Sequence, residues 1–394
     1  MKDKYVILEM PGLEDSLLGE GGPMAGPAFD ETALPRIEVD EMPASRAAEM
    51  SRRRSTTAIA PVMPMKLIAP VAMADADPAD NPGPTWGIQA VGADTSPFTG
   101  AGIVVAVLDT GIDPTHPAFA GVELVRRNFT GEGDDDIHGH GTHCAGTIFG
   151  RDVDGVRIGV ARGVTKALIG KVLGEGGGGS DQIVQAINWA VQEGANVISM
   201  SLGIDFPGYV SKLEAKGVPI DLATSMALVG YRQNVNLFAA MASLVAAQGA
   251  FGKTALLIAA AGNESRRQVN PDFDIAVAPP AVADGFISVA ALGTGPGGWT
   301  VAPFSNTGAL VSGPGVGIVS AKLGGGLASM SGTSMAAPHV AGVAALWAEK
   351  LQEGGFLEAR QLEGRLAGNA SDSGMAADFD PYDVGAGMVL APQD

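Results

Sequence analysis

Short, unbroken apolar runs, each closed by glycine or a polar residue, recur along most of this chain. Ile103-Val-Val-Ala-Val-Leu108, Lys166-Ala-Leu-Ile-Gly-Lys-Val-Leu173, Asn196-Val-Ile-Ser-Met200, Leu256-Leu-Ile-Ala-Ala-Ala261 and Phe286-Ile-Ser-Val-Ala-Ala-Leu292 are of this kind. Such a run fits a strand buried on both faces, as in a parallel sheet covered by helices. Between the runs the period becomes helical. Positions 181–193 put Ile183, Ile187, Ala190 and Val191 on one face, with Gly194 as the stop. Positions 223–247 also carry a helical apolar pattern, and Val340, Val343, Ala344, Leu346 and Trp347 form a buried stripe with few charges before Glu349. The predicted class is therefore α/β, a doubly wound, mostly parallel sheet flanked by helices.

The helix carrying that last stripe is expected to begin near Ser334. Pro338 then falls close to its start, where a missing N–H forfeits little. A serine there sits beside free backbone N–H groups and the positive end of the helix dipole, which suits an anion forming close by. Taken alone, Gly332-Thr-Ser334 reads more plainly as a helix cap. Asp109 ends the first central strand, where doubly wound sheets place functional groups, although an aspartate opening a turn is the plainer alternative. His138, His140 and His143 cluster closely enough to suggest zinc as well as a general base.

Residues 1–83 have a different texture. Lys4-Tyr-Val-Ile-Leu-Glu9 predicts a strand, 11–35 a Gly/Pro-rich acidic loop, and Arg36-Ile-Glu-Val-Asp40 a second strand. Residues 44–54 are helix-prone, and 56–68 are extended and apolar. The stretch 73–84, rich in Ala, Asp and Pro, reads as an exposed linker open to cleavage.

Composition narrows the function. A chain of 394 residues with 46% hydrophobic content and 56 glycines builds one large, loop-rich domain and a smaller piece. The formal charge of −18 argues against a nucleic-acid partner. Cys144 is the single cysteine, so no internal disulfide forms. The opening Met1-Lys-Asp-Lys-Tyr-Val-Ile-Leu-Glu-Met10 does not read as a secretory signal, and no run is read as a membrane span, 223–247 being interrupted by Arg232, Gln233 and Asn234. A cytoplasmic location is expected, with non-classical export left open.

Three blocks bring a family into view. Gly102-Ile-Val-Val-Ala-Val-Leu-Asp109-Thr-Gly-Ile-Asp113, His138-Gly-His140-Gly-Thr-His143-Cys-Ala-Gly146 and Ser331-Gly-Thr-Ser-Met-Ala-Ala-Pro-His-Val-Ala-Gly342 resemble the aspartate, histidine and serine motifs of the subtilases, in that family's order. The resemblance covers residues 84–392. It implies a subtilisin-like serine endopeptidase with Ser334 as nucleophile, His140 as general base and acid, Asp109 as the orienting carboxylate and Asn263 as oxyanion donor. His143 becomes a structural partner, His138 a loop residue, and Cys144 a buried thiol near the base. Met335, beside the nucleophile, would make the enzyme sensitive to peroxide.

The resemblance also places substrate edges at Gly174, Gly176 and Gly177, at Ser201, Leu202 and Gly203, and at Ala261 and Gly262, with peptide or protein as substrate. The glycine run taken alone would be a flexible linker. Small residues near Ala278 suggest a taste for apolar or aromatic side chains. No cofactor is needed for the chemistry. Structural calcium is common in such enzymes, but Asp152 and Asp154 beside Gly155 fall short of a full ligand set. Residues 1–72 are similar to the inhibitory pro-segments of subtilases, which makes the chain's own N-terminal segment an intramolecular inhibitor of an autoprocessed zymogen. An added domain packed permanently on the protease is the alternative. Leu67-Ile-Ala-Pro70 is similar to the blocking motif of intracellular subtilisins, pointing to a bacterial intracellular-type member.

The expected organisation is thus a small α+β pro-segment-like region at 1–72, a linker at 73–84, and a peptidase domain at 85–394. An insertion at about 204–254 reads as an elaborated scaffold helix pair, with a lid or a docking surface as alternatives. Two other functions stay open: a narrow maturation protease for one partner, and a protease-like binding module with an occluded site.

Overall fold

The computed structural model describes residues 2–9, 36–71, 82–355 and 357–394. Its centre is an eight-stranded sheet. Six strands lie side by side and parallel, in the order Glu123–Asn128, Lys166–Lys171, Val104–Asp109, Val197–Met200, Leu256–Ala260 and Phe286–Gly295. Val311–Pro314 extends the sheet in parallel, and Gly298–Val301 folds back antiparallel on the same neighbour.

Alternation explains the two layers. In Val104–Asp109, Val105 and Val107 join the core beneath the helices His140–Phe149 and Thr333–Glu353. Ala106 and Leu108 point the other way, into a second core under Ser180–Gln192 and Ile220–Gln248. Both faces are covered, so the strands carry no polar stripe. After Val104–Asp109 the chain builds first to one side and later to the other, so Asp109 ends its strand at the topological switch point, where a crevice opens.

The N-terminal region forms its own antiparallel sheet, in the order Arg36–Met42, Asp3–Glu9, Thr56–Pro61. Val6 and Leu8 enter the second core of the main domain, while Tyr5 and Ile7 face Met42, Ala47 and Met50 in a small core beneath the helix Ala44–Met50. Lys4 Nζ reaches Asp181 Oδ2 at 2.6 Å. The expected helix over 44–54 ends sooner, and the predicted loop 11–35 lies outside the described residues. So does most of the predicted linker, whose last residues, Gly83–Pro84, instead pair with Val156–Arg157 in the main domain.

The insertion is a helix pair, Phe206–Ala215 and Ile220–Gln248. By length and composition alone the stretch from Ile220 to Phe251 is apolar enough to cross a membrane, a test that the buried core helices of other folds also pass. Here its buried face packs on the sheet and on the N-terminal region. Asn234, one of the polar residues that interrupt it, is buried and donates from Nδ2 to Pro61 O at 2.9 Å.

Candidate active site

Asp109 Oδ1 accepts hydrogen bonds from Thr110 N and from His140 Nδ1, each at 2.8 Å. His140 opens the helix His140–Phe149 and is fully buried. In the neutral form, with the Nδ1 proton directed to the carboxylate, Nε2 keeps the lone pair that a general base needs. That atom is buried and has no hydrogen-bond partner. Burial alone would push the imidazole down, but the Asp109 carboxylate, with Cys144 close by, outweighs it and holds His140 well above its ordinary value.

Two features hold this pair together. A Cβ on Gly141 would stand 2.2 Å from Gly111 O, so a glycine is required for the helix to start against the turn after Asp109. Asp136, buried, gathers the surrounding donors: Thr110 Oγ1, His138 N and Gly139 N on one oxygen, Thr142 N and Oγ1 on the other. Burial would raise its carboxyl, yet these hydrogen bonds hold it below the usual carboxylate value. Sequence reasoning missed Asp136; its signal was the last of three successive acids, two residues ahead of His138.

Ser334 is the second residue of the helix Thr333–Glu353 and is fully buried. Pro338 therefore lies beyond the first turn, not within it as the sequence suggested. Its missing N–H leaves the carbonyl four residues back, that of Ser334, without a helical donor. Cys144 Sγ and Ser201 Oγ supply that bond, each at 3.3 Å. Cys144 Sγ also lies 3.7 Å from His140 Nδ1, and its burial pushes the thiol up. Asp109, His140 and Cys144 form the one cluster of three metal-binding donors found among the described residues, within 4.8 Å of one another. The three histidines do not converge on such a site: His143 Nε2 bonds Ile318 O at 3.0 Å, and His138 is exposed. Asp152 faces Arg162 at 3.6 Å instead of gathering with Asp154.

Asn263 follows the strand Leu256–Ala260. Its Oδ1 accepts from Thr333 N at 2.9 Å and Thr333 Oγ1 at 2.8 Å, which aims Nδ2 at the crevice. Gly262, at φ +117°, makes the turn and donates from N to Thr333 Oγ1, while Ala261 O accepts from Ala278 N. These two residues flank Asn263 and, among the described residues, make no backbone pair with the segment 64–71.

That chain is the protein's own. Pro64–Leu67 is the middle strand of a three-stranded antiparallel sheet between Gly178–Gly179 and Leu202–Ile204. Gly203 stands opposite Lys66, and Ile68 N donates to Ser201 O. Ser334 Oγ donates to Ile68 O at 2.7 Å, Asn263 Nδ2 to Ala69 O at 2.9 Å, and Val71 N to Ser331 O at 2.8 Å. Ser201, Leu202 and Gly203 thus line one edge of the groove that this segment fills. The other edge is corrected. Gly174 and Gly177 close a turn on each other and, with Gly176, line the groove, while pairing falls to Gly178 and Gly179.

Residues 100–386 match the model of the subtilase family of peptidases. The chain belongs to the subtilase family. The fold agrees, its mostly parallel sheet carrying helices on both faces. This subtilase is 38% identical to a subtilisin-like protease of Coccidioides posadasii over 256 residues, 62% of this chain and 52% of the relative. It is 33% identical to subtilisin-like protease 6 of Trichophyton verrucosum over 272 residues, 66% of this chain and 57% of the relative. The chain thus spans little more than half the length of these relatives. Both are fungal, so they carry nothing for the bacterial, intracellular type expected from Leu67-Ile-Ala-Pro70.

Proposed function

We propose that this subtilase is a serine endopeptidase, held inactive by its own residues 64–71. The observation that carries the reading is that Ser334 Oγ and Asn263 Nδ2 both donate to one short extended peptide, with the Asp109–His140 pair linked to Ser334 through Cys144 Sγ. With a substrate in that groove, His140 Nε2 takes the Ser334 proton as Oγ bonds to the carbonyl carbon. Asn263 Nδ2 donates to the oxyanion that forms. The C–N bond then breaks, His140 protonates the departing amine, and water activated by the same imidazole hydrolyses the acyl-enzyme. Asp109 keeps the tautomer and offsets the imidazolium charge. Serine chemistry of this kind uses no cofactor. Structural calcium would need ligands beyond Asp154, since Asp152 faces Arg162.

Backbone pairing on both edges supports a peptide or protein substrate with loose sequence demands. The burial of Ile68 beside Gly203 supports an apolar side chain at the position before cleavage. The N-terminal segment acts as intramolecular inhibitor: it fills the groove and leaves His140 Nε2 unengaged. The small core of Tyr5, Ile7, Met42, Ala47 and Met50 supports a pro-segment over 1–72. The insertion serves as scaffold for that segment through Asn234. A free, buried Cys144 is compatible with a cytoplasmic location, which cell fractionation would test. A binding module that has lost its chemistry would have no need of the Asp109–His140 geometry.

Intact mass of wild type and Ser334→Ala, each with and without a fluorophosphonate, tests this. Wild type should gain one probe and shed its N-terminal region, and Ser334→Ala should do neither. If wild type labels yet keeps its full length, the N-terminal region is a permanent domain. A wild-type chain that stays unlabelled even after a protease clips it within 73–84 would leave the binding-module reading.

A further inference from the structure

The stretch 58–71 carries a single charged residue, Lys66, and its ammonium lies near two carboxylates from different parts of the chain. Its Nζ lies 3.7 Å from Asp205 Oδ1 and 3.6 Å from Glu264 Oε1. Met65, its neighbour, turns into the second core, and Lys66 faces outward opposite Gly203.

Both acids are held by bonds that do not involve the lysine. Asp205 caps the helix Phe206–Ala215 by accepting from Gly208 N at 3.2 Å. Glu264 Oε2 accepts from Asn306 Nδ2 at 2.9 Å, and Glu264 N donates to Asn306 Oδ1 at 3.0 Å. That leaves Oε1 for the groove. When the segment departs, the two carboxylates therefore stay where they are, facing the same gap with no cation between them. Glu264 adjoins the oxyanion donor Asn263, and Asp205 follows the edge strand Leu202–Ile204, so both belong to parts that any substrate must touch.

Resting on the hydrolase reading above, we infer that Asp205 and Glu264 form a cation subsite selecting Lys or Arg two residues before the residue that Ile68 represents. The segment exploits the same subsite to hold itself in place. The side chains are about a third exposed (Lys66 39%, Asp205 32%, Glu264 36%), so each pair is weak and screened by salt. Together they should be worth roughly threefold to tenfold in a rate or equilibrium.

The test uses the full chain and the rate at which Ser334 takes a fluorophosphonate. Lys66→Gln should speed labelling roughly threefold to tenfold, and Lys66→Arg should stay close to wild type. Asp205→Asn combined with Glu264→Gln, which keeps the helix cap and the Asn306 bond, should match Lys66→Gln, and adding Lys66→Gln to it should change nothing more. Of two quenched peptides containing Met-Lys-Leu-Ile and Met-Gln-Leu-Ile, the first should have the higher kcat/KM by a similar factor, lost in the double variant and in high salt. Equal labelling rates and equal peptide turnover, with Ser334 reactive throughout, would overturn the subsite while leaving the hydrolase intact. A Ser334 that accepts no probe in any of these chains, clipped or not, would instead overturn the hydrolase reading and the subsite with it.

Discussion

Ile68 and Ser334 stand 266 positions apart in the chain and are joined by one hydrogen bond, 2.7 Å from the serine Oγ to the isoleucine carbonyl. The nucleophile's hydroxyl is thereby engaged by the protein's own segment, and Ile68 keeps only 3% of its surface exposed. Placing a carboxylate in that apolar niche costs several kcal/mol, about 2 to 7 for a polar group without a partner. Ile68→Asp should therefore release the segment and raise the fluorophosphonate labelling rate of the full chain more than tenfold. An unchanged rate would mean that the groove is held by something other than Ile68.

Asn263 has two jobs, and they separate experimentally. Its Oδ1 fixes Thr333, while Nδ2 faces the groove. Loss of a donor to the oxyanion removes about 3 to 4 kcal/mol of transition-state stabilisation. Asn263→Ala should lower kcat by about 10²- to 10³-fold with little change in KM. A change confined to KM would assign Asn263 to substrate binding alone.

Three buried histidines set opposing pH dependences. Burial drives His143 down to about 3 and His339 down to about 4. Below their ordinary value of 6.5 the unfolded chain binds more protons at these sites than the native one, so stability falls as pH falls from 6.5 towards 4. With two protons the slope is at most about 2.7 kcal/mol per pH unit. His140 behaves oppositely: its raised value adds stability below pH 6.5 that is lost as pH climbs through the folded value. Urea midpoints should thus peak near pH 6.5, and His339→Gln should flatten the acid limb by about half. An acid limb unchanged in that variant would contradict the burial of a neutral His339.

Asp136 never faces the groove, yet it gathers the turn after Asp109 and the first turn of the histidine helix. Asp136→Asn turns one acceptor into a donor that confronts Thr142 N–H. The unmet bonds should cost about 1 to 3 kcal/mol in urea unfolding and lower kcat by loosening the Asp109–His140 alignment. Wild-type stability and kcat in this variant would demote Asp136 to a bystander.

The central strands and the main helices were legible because their signal is local: an apolar run for a strand covered on both faces, and a helical stripe for Thr333–Glu353. Asp109, His140, Ser334 and Asn263 were legible as family motifs at element ends, and the structure brings them to one crevice. What escaped depends on distant partners. Gly178 and Gly179 pair where the register of Pro64–Leu67 puts them, and nothing in a run of glycines states its own register. The place of Pro338 depends on a helix start one residue earlier, with Ser201 and Cys144, from other elements, meeting the freed carbonyl. Lys66 went unnoticed within a stretch read as extended and apolar, because Asp205 and Glu264 are far from it in sequence.

The strand Pro64–Leu67 and the groove it fills are parts of one chain. On the proposed reading, occupancy of the groove does not depend on how much protein is present, because the local concentration of the segment is set by its covalent connection to the rest of the chain. One cut in that connection changes the law. The same contacts then answer to dilution, so a nicked sample should stay silent when concentrated and awaken when diluted.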